Sequence, residues 1–200
     1  MGKIQSRSKP ALAKQGRVSE TRFLARVVSM GVVKQPTTPT AAMESLLRHG
    51  ICTQAARQWL DQKPEVGPAR DELLAQVYER LEESPSPATE WQAVRDVLDD
   101  DALLAALLGI GPVSVRRYAK GERHCPDPVA ARLHWLALLI DQLEGTYNAY
   151  GIRRWFQRPR AALDGQAPKD RLKGEWDPDD DAVQPLGALA QSASLGQVAT

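Results

Sequence analysis

The chain has 200 residues and a mass of 22.0 kDa, enough for one ordinary domain or for a small domain with appended segments. Its 26 Lys and Arg residues nearly balance its 25 Asp and Glu residues, and the net charge of +1 excludes a uniformly basic or acidic protein. The hydrophobic fraction of 42% and the charged fraction of 26% are typical of a soluble globular protein and exclude a chain that is disordered throughout.

The sequence contains no candidate for a membrane span or a secretory signal. Its most apolar stretch without a charged residue, residues 102–115, is interrupted by two glycines and a proline. It is also shorter than the roughly 18–20 apolar residues that a spanning helix needs. The N-terminal residues are basic but have no apolar core. Two cysteines, Cys52 and Cys125, are too few for a disulfide framework, so we expect a cytoplasmic protein without a membrane partner.

The near-zero net charge hides three segments of strong local charge. Residues 1–34 hold eight basic residues and one acid, and residues 113–160 hold nine basic residues and four acids. Residues 164–181 hold seven acids and three basic residues. Such asymmetry suggests an anionic partner for the basic segments, although a solvated face or an unstructured tail is an equally good explanation of any one run.

The pattern of apolar residues predicts an all-α protein, because helical spacing recurs along the chain and strand alternation does not. We expect a basic flexible arm and linker at residues 1–40, with a short apolar patch before the linker that docks on the body as a helix or a strand. An N-terminal helical segment at 41–85, a helix-turn-helix region at 88–144, a small helical module at 145–190 and a tail at 191–200 follow. The prolines of QPTTPT and SPSP mark the linkers.

The most informative stretch, DALLAALLGIGPVSVRRYAKGER, begins at Asp101 and has the spacing of a helix-turn-helix. Gly109 is the expected turn residue, because glycine permits a sharp bend. The small residue four positions earlier, Ala105, lets the two helices cross closely. In the second helix, Val115 and Tyr118 lie six and nine positions beyond the glycine and are expected to face inward.

The second helix of this unit is the predicted DNA-reading element. Pro112 suits its first turn, and Gly121 is placed to end it in a left-handed conformation. Arginine is the commonest reader of guanine and also binds phosphate. The residues expected to contact DNA are Ser114, Arg116, Arg117, Lys120 and Arg123. The alternative is a solvated helix face in an α-helical bundle.

The stretch SVRRYAKGERHCPDPVAARLHWLALLIDQL resembles the recognition helix and the following helix of Xre-type repressors, with their aromatic–basic–Gly–Glu–Arg ending. The next stretch, GTYNAYGIRRWFQRPRAALDGQAPKDRL, is similar to the C-terminal toxin-binding domain of the Xre/MbcA/ParS antitoxin family. The elements that carry this second similarity are Trp155, Phe156, Pro159, Leu163, Gly165, Pro168 and Leu172. The resemblance covers residues 91–189, and the two modules occur in the family's own order.

The resemblance implies a DNA-binding antitoxin of a type II toxin–antitoxin system. Such a protein represses its own operon by occupying operator DNA, and it neutralises a partner toxin, here expected to be of the RES-domain type, by binding it. A homodimer would place its two half-sites about 34 Å apart, one turn of DNA, and basic residues between 3 and 26 would add phosphate contacts. The expected toxin-binding residues are Arg154, Trp155, Phe156, Arg158, Arg160 and Trp176.

Two features of the C-terminal half have a second explanation. Trp155 and Phe156 are hot-spot residue types but are also typical core residues. Residues 129–143 are apolar over more than one helix face, which suits either a dimer interface or a wholly buried central helix. The acidic run after Trp176 is the segment that would reach a toxin's active site in family terms.

Catalysis and cofactors are not expected. No nucleophile, base and oxyanion set is recognisable, and no phosphate-binding loop is present. The pairs His49 with Cys52 and His124 with Cys125 lack the repeated spacing of a zinc site, so no metal is predicted. Two other functions stay open, a stand-alone helix-turn-helix transcriptional regulator without a toxin and a protein-interaction adaptor whose helix-turn-helix does not bind DNA.

Overall fold

The computed structural model describes residues 18–34 and 37–195, and within these ranges every regular element is helical. The all-α prediction is therefore confirmed. The elements are α1 (Glu20–Ser29), α2 (Pro39–Arg48), α3 (Thr53–Gln62), α4 (Pro68–Glu83), α5 (Pro87–Leu98), α6 (Asp101–Leu108), α7 (Pro112–Ala119), α8 (Asp127–Glu144), α9 (Ala149–Gln157), a short 3₁₀ turn (Ala161–Leu163), α10 (Pro168–Arg171) and α11 (Gln184–Leu195).

Prolines that mark linkers in the sequence begin helices in the structure. Pro39 of QPTTPT opens α2 and Pro87 of SPSP opens α5. Proline suits the first turn because the backbone N–H that it lacks has no partner within the helix. The N-terminus of α2 is also capped by the side chain of Thr38, which accepts a hydrogen bond from the backbone N–H of Ala41. The linkers are therefore shorter than the proline pattern suggests.

The buried apolar residues form two clusters, one on each side of residue 84 in the chain. The N-terminal cluster is made by the helices from α1 through α4, and the C-terminal cluster by the helices from α5 through α11. The segments 88–144 and 145–190, which the sequence suggests as successive modules, share the C-terminal cluster. For example, Ile152 of α9 and Leu186 of α11 belong to the same cluster as Leu136 of α8. The two segments thus form one packed body.

Helix α1 corrects the prediction of a basic arm and linker over residues 1–40. Its apolar face is buried, with Phe23 and Val27 fully inside, so the apolar patch before the linker docks on the body as a helix. Arg26, counted among the basic residues of the arm, is only 1% exposed and cannot reach a phosphate. The rest of the predicted arm, residues 1–17, lies outside the described residues.

The Arg26 guanidinium ties α1 to two other helices. Its Nη2 donates to the hydroxyl of Tyr78 at 2.9 Å and contacts carboxylate oxygens of Glu82 at 3.0 Å and Asp141 at 3.3 Å. Tyr78 and Glu82 belong to α4 and Asp141 to α8, so one buried cation joins the two hydrophobic clusters. A buried charge of this kind is tolerated only because its partners are present.

A second buried polar group, the imidazole of His134 on α8, contacts residues on both sides of the linker between α4 and α5. The Nδ1 atom of His134 lies 2.6 Å from a carboxylate oxygen of Glu90, and Nε2 lies 2.9 Å from the backbone carbonyl oxygen of Glu82. The backbone N–H of Ser86 donates to the other Glu90 oxygen at 3.0 Å. The His134 ring thus contacts residues on both sides of the linker, Glu82 before it and Glu90 after it.

Helix α8 runs through the middle of the protein. It packs against α1, α5, α6, α9 and α11, and its buried residues lie on several sides. This favours the wholly buried central helix over the dimer interface as the reason for its apolar composition. Helix α11 packs on α8 with Leu186 and Ala190 buried, and Val183, just before the helix, is buried as well. The helix continues through the predicted boundary at residue 190.

Within the part of the chain that the structure describes, no single helix has both the length and the apolar composition to cross a membrane. The pair α6 and α7 passes that test only when taken together, and it is bent by 99°.

Replacing Arg26 by Met should destabilise the protein by about 3–5 kcal/mol, because Glu82 and Asp141 would lose their buried counter-charge. Urea denaturation followed by circular dichroism measures the free energy of unfolding. Arg57→Met on the exposed face of α3 is the matched control and should change it by less than about 0.5 kcal/mol. Equal effects of the two changes would contradict the role given to Arg26.

Candidate nucleic-acid interface

Helices α6 and α7 form a tightly bent pair. Their axes bend by 99° across residues 109–111. Ala105 of α6 is buried at the crossing, and Val115 and Tyr118 of α7 face the core, as the spacing predicts. The ring of Tyr118 stacks on Trp91 of α5 with 5.8 Å between ring centroids. The inner face of α7 is therefore fixed, and its other face is left for solvent.

The turn between α6 and α7 depends on a glycine. Gly109 has a φ of +66°, in the left-handed region, and it ends α6. The backbone of Gly174 passes so close that a Cβ added at Gly109 would lie 2.7 Å from the Gly174 carbonyl carbon. Glycine is thus required here for its backbone conformation and for the space that a side chain would fill.

Two distant side chains bind the carbonyl groups at the end of α6. The indole N–H of Trp176 donates to the Leu107 carbonyl at 2.8 Å, and the Arg132 Nη1 donates to the Leu108 carbonyl at 2.9 Å. The Nε of Arg132 also donates to the carbonyl oxygen of Trp176 at 2.6 Å. The last carbonyls of a helix have no partner within it, and a cation there is favourable. Arg132 was not singled out in the sequence, because no local pattern distinguishes it.

The solvent face of α7 carries a row of four exposed residues, which we call the α7 stripe: Val113, Arg116, Arg117 and Lys120. Their spacing places them within an arc of about 100° around the helix axis. Ser114, also predicted to contact DNA, lies about 60° outside this arc and is half-buried. The structure thus brings together three of the five predicted DNA-contacting residues and adds Val113, which the i, i+3, i+4, i+7 spacing would have indicated.

The segment after α7 continues the basic surface. Gly121 has a φ of +68°, which ends the helix as predicted, and Arg123 is exposed with its guanidinium 5.8 Å from the Tyr118 ring centroid. Lys120 lies 3.8 Å from the carboxylate of Glu122, an exposed pair that solvent screens. Burial raises the pKa of the nearby Cys125 thiol, so this group is uncharged at neutral pH.

The opposite charge collects at the other end of α6. Asp99, Asp100 and Asp101 precede or begin this helix, and Asp96 lies beside them at the surface. An eight-residue helix is about 12 Å long, so α6 separates the acidic group from the turn that leads into the α7 stripe. Asp100 also caps α6 by accepting from the backbone N–H groups of Ala102 and Leu103. Negative charge therefore lies at the N-terminal end of α6, and positive charge lies on α7 beyond its C-terminal end.

The three aromatic residues of the predicted toxin-binding set lie in the core, which corrects that part of the prediction. Trp155 and Phe156 are 2% and 0% exposed, and their rings pack edge to face with 5.2 Å between centroids. Trp176 is 6% exposed and packs on Trp135. These rings hold α9 and the chain after α10 in place, so the core alternative for the aromatics is the correct one.

The arginines of that set have different environments. Arg154 and Arg158 are exposed on and just after α9, whereas Arg160 is half-buried with its guanidinium 5.6 Å from the Trp155 ring centroid. Tyr150 is 62% exposed and stacks with Arg154 at 5.9 Å. Its position four residues before Arg154, on the polar side of α9, is the signal that would have identified it in the sequence.

The acidic run after Trp176 forms a turn. A carboxylate oxygen of Asp180 accepts from the backbone N–H of Asp177 at 2.8 Å, and Asp177 accepts from the N–H of Asp179 at 2.9 Å. Helix α11 then packs on α8. The chain from Trp176 to the middle of α11 is thus part of the body, not a segment free to reach into a partner.

The chain matches no protein-family model, no curated protein and no solved structure in comparisons with each of these. Among the residues described, no group of three or more His, Cys, Asp or Glu side chains is placed to hold a metal ion. The family resemblance carried by the α6–α8 sequence and the Trp155 region stays a prediction.

Replacing Gly109 by Ala should destabilise the protein by about 3 kcal/mol, because the new methyl group meets Gly174 and the left-handed backbone is strained. Gly121→Ala is the matched control. It has nearly the same φ but open space around the added Cβ, so only the backbone strain of about 1 kcal/mol applies. Thermal unfolding of both variants measures the difference. Equal losses would show that the contact with Gly174 has no energetic importance.

Proposed function

We propose that the protein is a DNA-binding antitoxin-type repressor that uses the α7 stripe to bind operator DNA. The observation that carries the proposal is the exposure of Arg116, Arg117 and Lys120 on one side of a short helix whose other side is fixed in the core. A major groove about 12 Å wide admits one α-helix. A helix that is fixed in the core on one side and carries cations on the other suits that groove, because the helix needs no rearrangement to bind.

Charge distribution supports the same proposal. Arg123 extends the positive surface beyond α7, and the acidic group of residues 99–101 lies at the far end of α6, away from the α7 stripe. Phosphates near the stripe would therefore meet mostly cations. Repression needs no chemistry, since occupancy of the operator is sufficient. A homodimer that reads two half-sites remains part of this proposal.

The arginine side chains of the α7 stripe should dominate DNA affinity. Arg116→Ala with Arg117→Ala should weaken binding to DNA from upstream of the protein's own gene by about 100-fold, because each arginine contact is worth about 1–3 kcal/mol. The slope of log K against log salt should also fall by about 1.8 if both arginines bind phosphate. Fluorescence anisotropy at several salt concentrations measures both quantities.

The double variant Arg48→Ala with Arg57→Ala is the matched control, since both arginines are exposed on helices of the N-terminal cluster. It loses the same charge and should keep most of the affinity. Equal weakening by the two double variants would mean that net charge alone, not the α7 stripe, drives binding. Absence of binding by the unaltered protein would favour the adaptor alternative.

A second part of the proposal concerns a toxin partner. Tyr150 and Arg154 form an exposed stacked pair on α9, and Arg158 lies beyond them. Aromatic residues and arginine are the commonest hot-spot types at protein interfaces. We therefore assign the partner contact to this pair, in place of the buried aromatics of the same segment.

Capture of the toxin should depend on Tyr150 and Arg154. The tagged protein, recovered from its host after nuclease treatment, should carry one small protein encoded by the adjacent gene in stoichiometric amount. Tyr150→Ala with Arg154→Ala should weaken that complex by at least about 30-fold, as expected for two hot-spot residues. Val66→Ala with Arg57→Ala, on the N-terminal cluster, is the control. Recovery of the protein alone would favour the stand-alone regulator.

A further inference from the structure

Val113 is exposed in a place where an apolar side chain is unexpected. Its exposed fraction is 53%, and among the described residues only Val66 and Tyr150 are large hydrophobic residues classed as exposed with it. Val66 lies in the loop between α3 and α4, and Tyr150 stacks with Arg154. Val113 instead lies in the first turn of α7. Apolar residues of this helix such as Val115 and Tyr118 face the core, whereas Val113 faces solvent.

Around the helix axis, Val113 lies between Arg116 and Arg117 of the α7 stripe. Successive helix residues are about 100° apart, so Arg116 lies about 60° to one side of Val113 and Arg117 about 40° to the other. Lys120 lies two turns beyond Val113 and only about 20° from it around the axis. An apolar group thus sits between cations at the N-terminal end of the exposed face.

We infer that Val113 reads a thymine by packing on its C5 methyl group, an inference that rests on the proposed DNA-binding function. The C5 methyl of thymine is the apolar group that base edges present in the major groove. In a groove-bound helix, the residues of the first turn are those nearest the base edges. Arginines on both sides would hold the phosphates or guanines next to that thymine and keep water out of the methyl contact.

The inference separates two roles within the α7 stripe. Arg116, Arg117 and Lys120 supply affinity that falls with salt, because they exchange bound counterions for phosphate contacts. Val113 supplies discrimination that does not depend on salt, because removal of a methyl group from water involves no charge. A protein partner on the same stripe would also cover Val113, but it would not respond to a methyl group on DNA.

The test removes the methyl group from the DNA and the side chain from the protein. Duplexes bound by the full chain are selected from a random-sequence pool, and each thymine of the selected site is replaced in turn by deoxyuridine, which pairs identically and lacks the C5 methyl. At one thymine of the site, the replacement should weaken binding about three- to fivefold, the value of one buried methyl group. Val113→Ala should weaken binding to the thymine site by a similar or somewhat larger factor.

The decisive result is the combination of the two changes. Val113→Ala should be insensitive to deoxyuridine at that position and should remain sensitive to every other change in the site. Val66→Ala is the control for loss of an exposed valine and should behave as the unaltered protein does. The melting temperatures of both variants should be unchanged, because both side chains are exposed. The deoxyuridine effect should also keep its size as salt is raised.

The outcomes distinguish this inference from the proposed function. If no duplex is selected, both fail. If duplexes are bound through Arg116 and Arg117 but deoxyuridine has no effect, or has the same effect on Val113→Ala as on the unaltered protein, the thymine contact is overturned and the DNA-binding function stands. Loss of binding by Val113→Ala to all duplexes equally would likewise overturn a role in discrimination.

Discussion

The close approach of Gly109 to Gly174 is the contact on which the candidate site depends. It lets the chain after α10 lie against the end of α6, where Trp176 and Arg132 bind the carbonyl groups of Leu107 and Leu108. These groups would otherwise be buried without partners at a helix end. Because the end of α6 is fixed in this way, the direction in which α7 leaves the turn is fixed as well, and the exposed face of α7 is set by the same contact.

This arrangement also explains why the two C-terminal segments cannot be treated as separate modules. The predicted partner-binding segment contributes Trp155, Phe156 and Trp176 to the interior. The indole of Trp176 also donates a hydrogen bond to α6, the helix that precedes the turn. The surface left for a partner is made by the polar side of α9, where Tyr150 and Arg154 are exposed. The surfaces proposed for DNA and for a toxin therefore belong to one packed body.

The N-terminal helices are held to this body by buried polar contacts as well as by apolar packing. Arg26 contacts partners on α4 and α8, and His134 contacts Glu90 and the Glu82 carbonyl across the short linker. Such contacts are specific in geometry, since a buried charge or imidazole is costly unless each partner is in place. They join residues that are more than forty positions apart in the chain, and they hold the two hydrophobic clusters together.

The sequence by itself determined the helical class and the local form of the α6–α7 unit. Gly109, Ala105, Val115, Tyr118 and Gly121 have the predicted burial or backbone conformation, because these depend on spacing and on residue type within one short stretch. Only the tertiary structure decided which basic and aromatic residues are exposed. Arg26 and Arg117 are alike in sequence, yet one is buried by α4 and α8 and the other faces solvent. Trp155 and Phe156, whose residue types suit a core or an interface equally well, are buried because helices from other parts of the chain pack on α9.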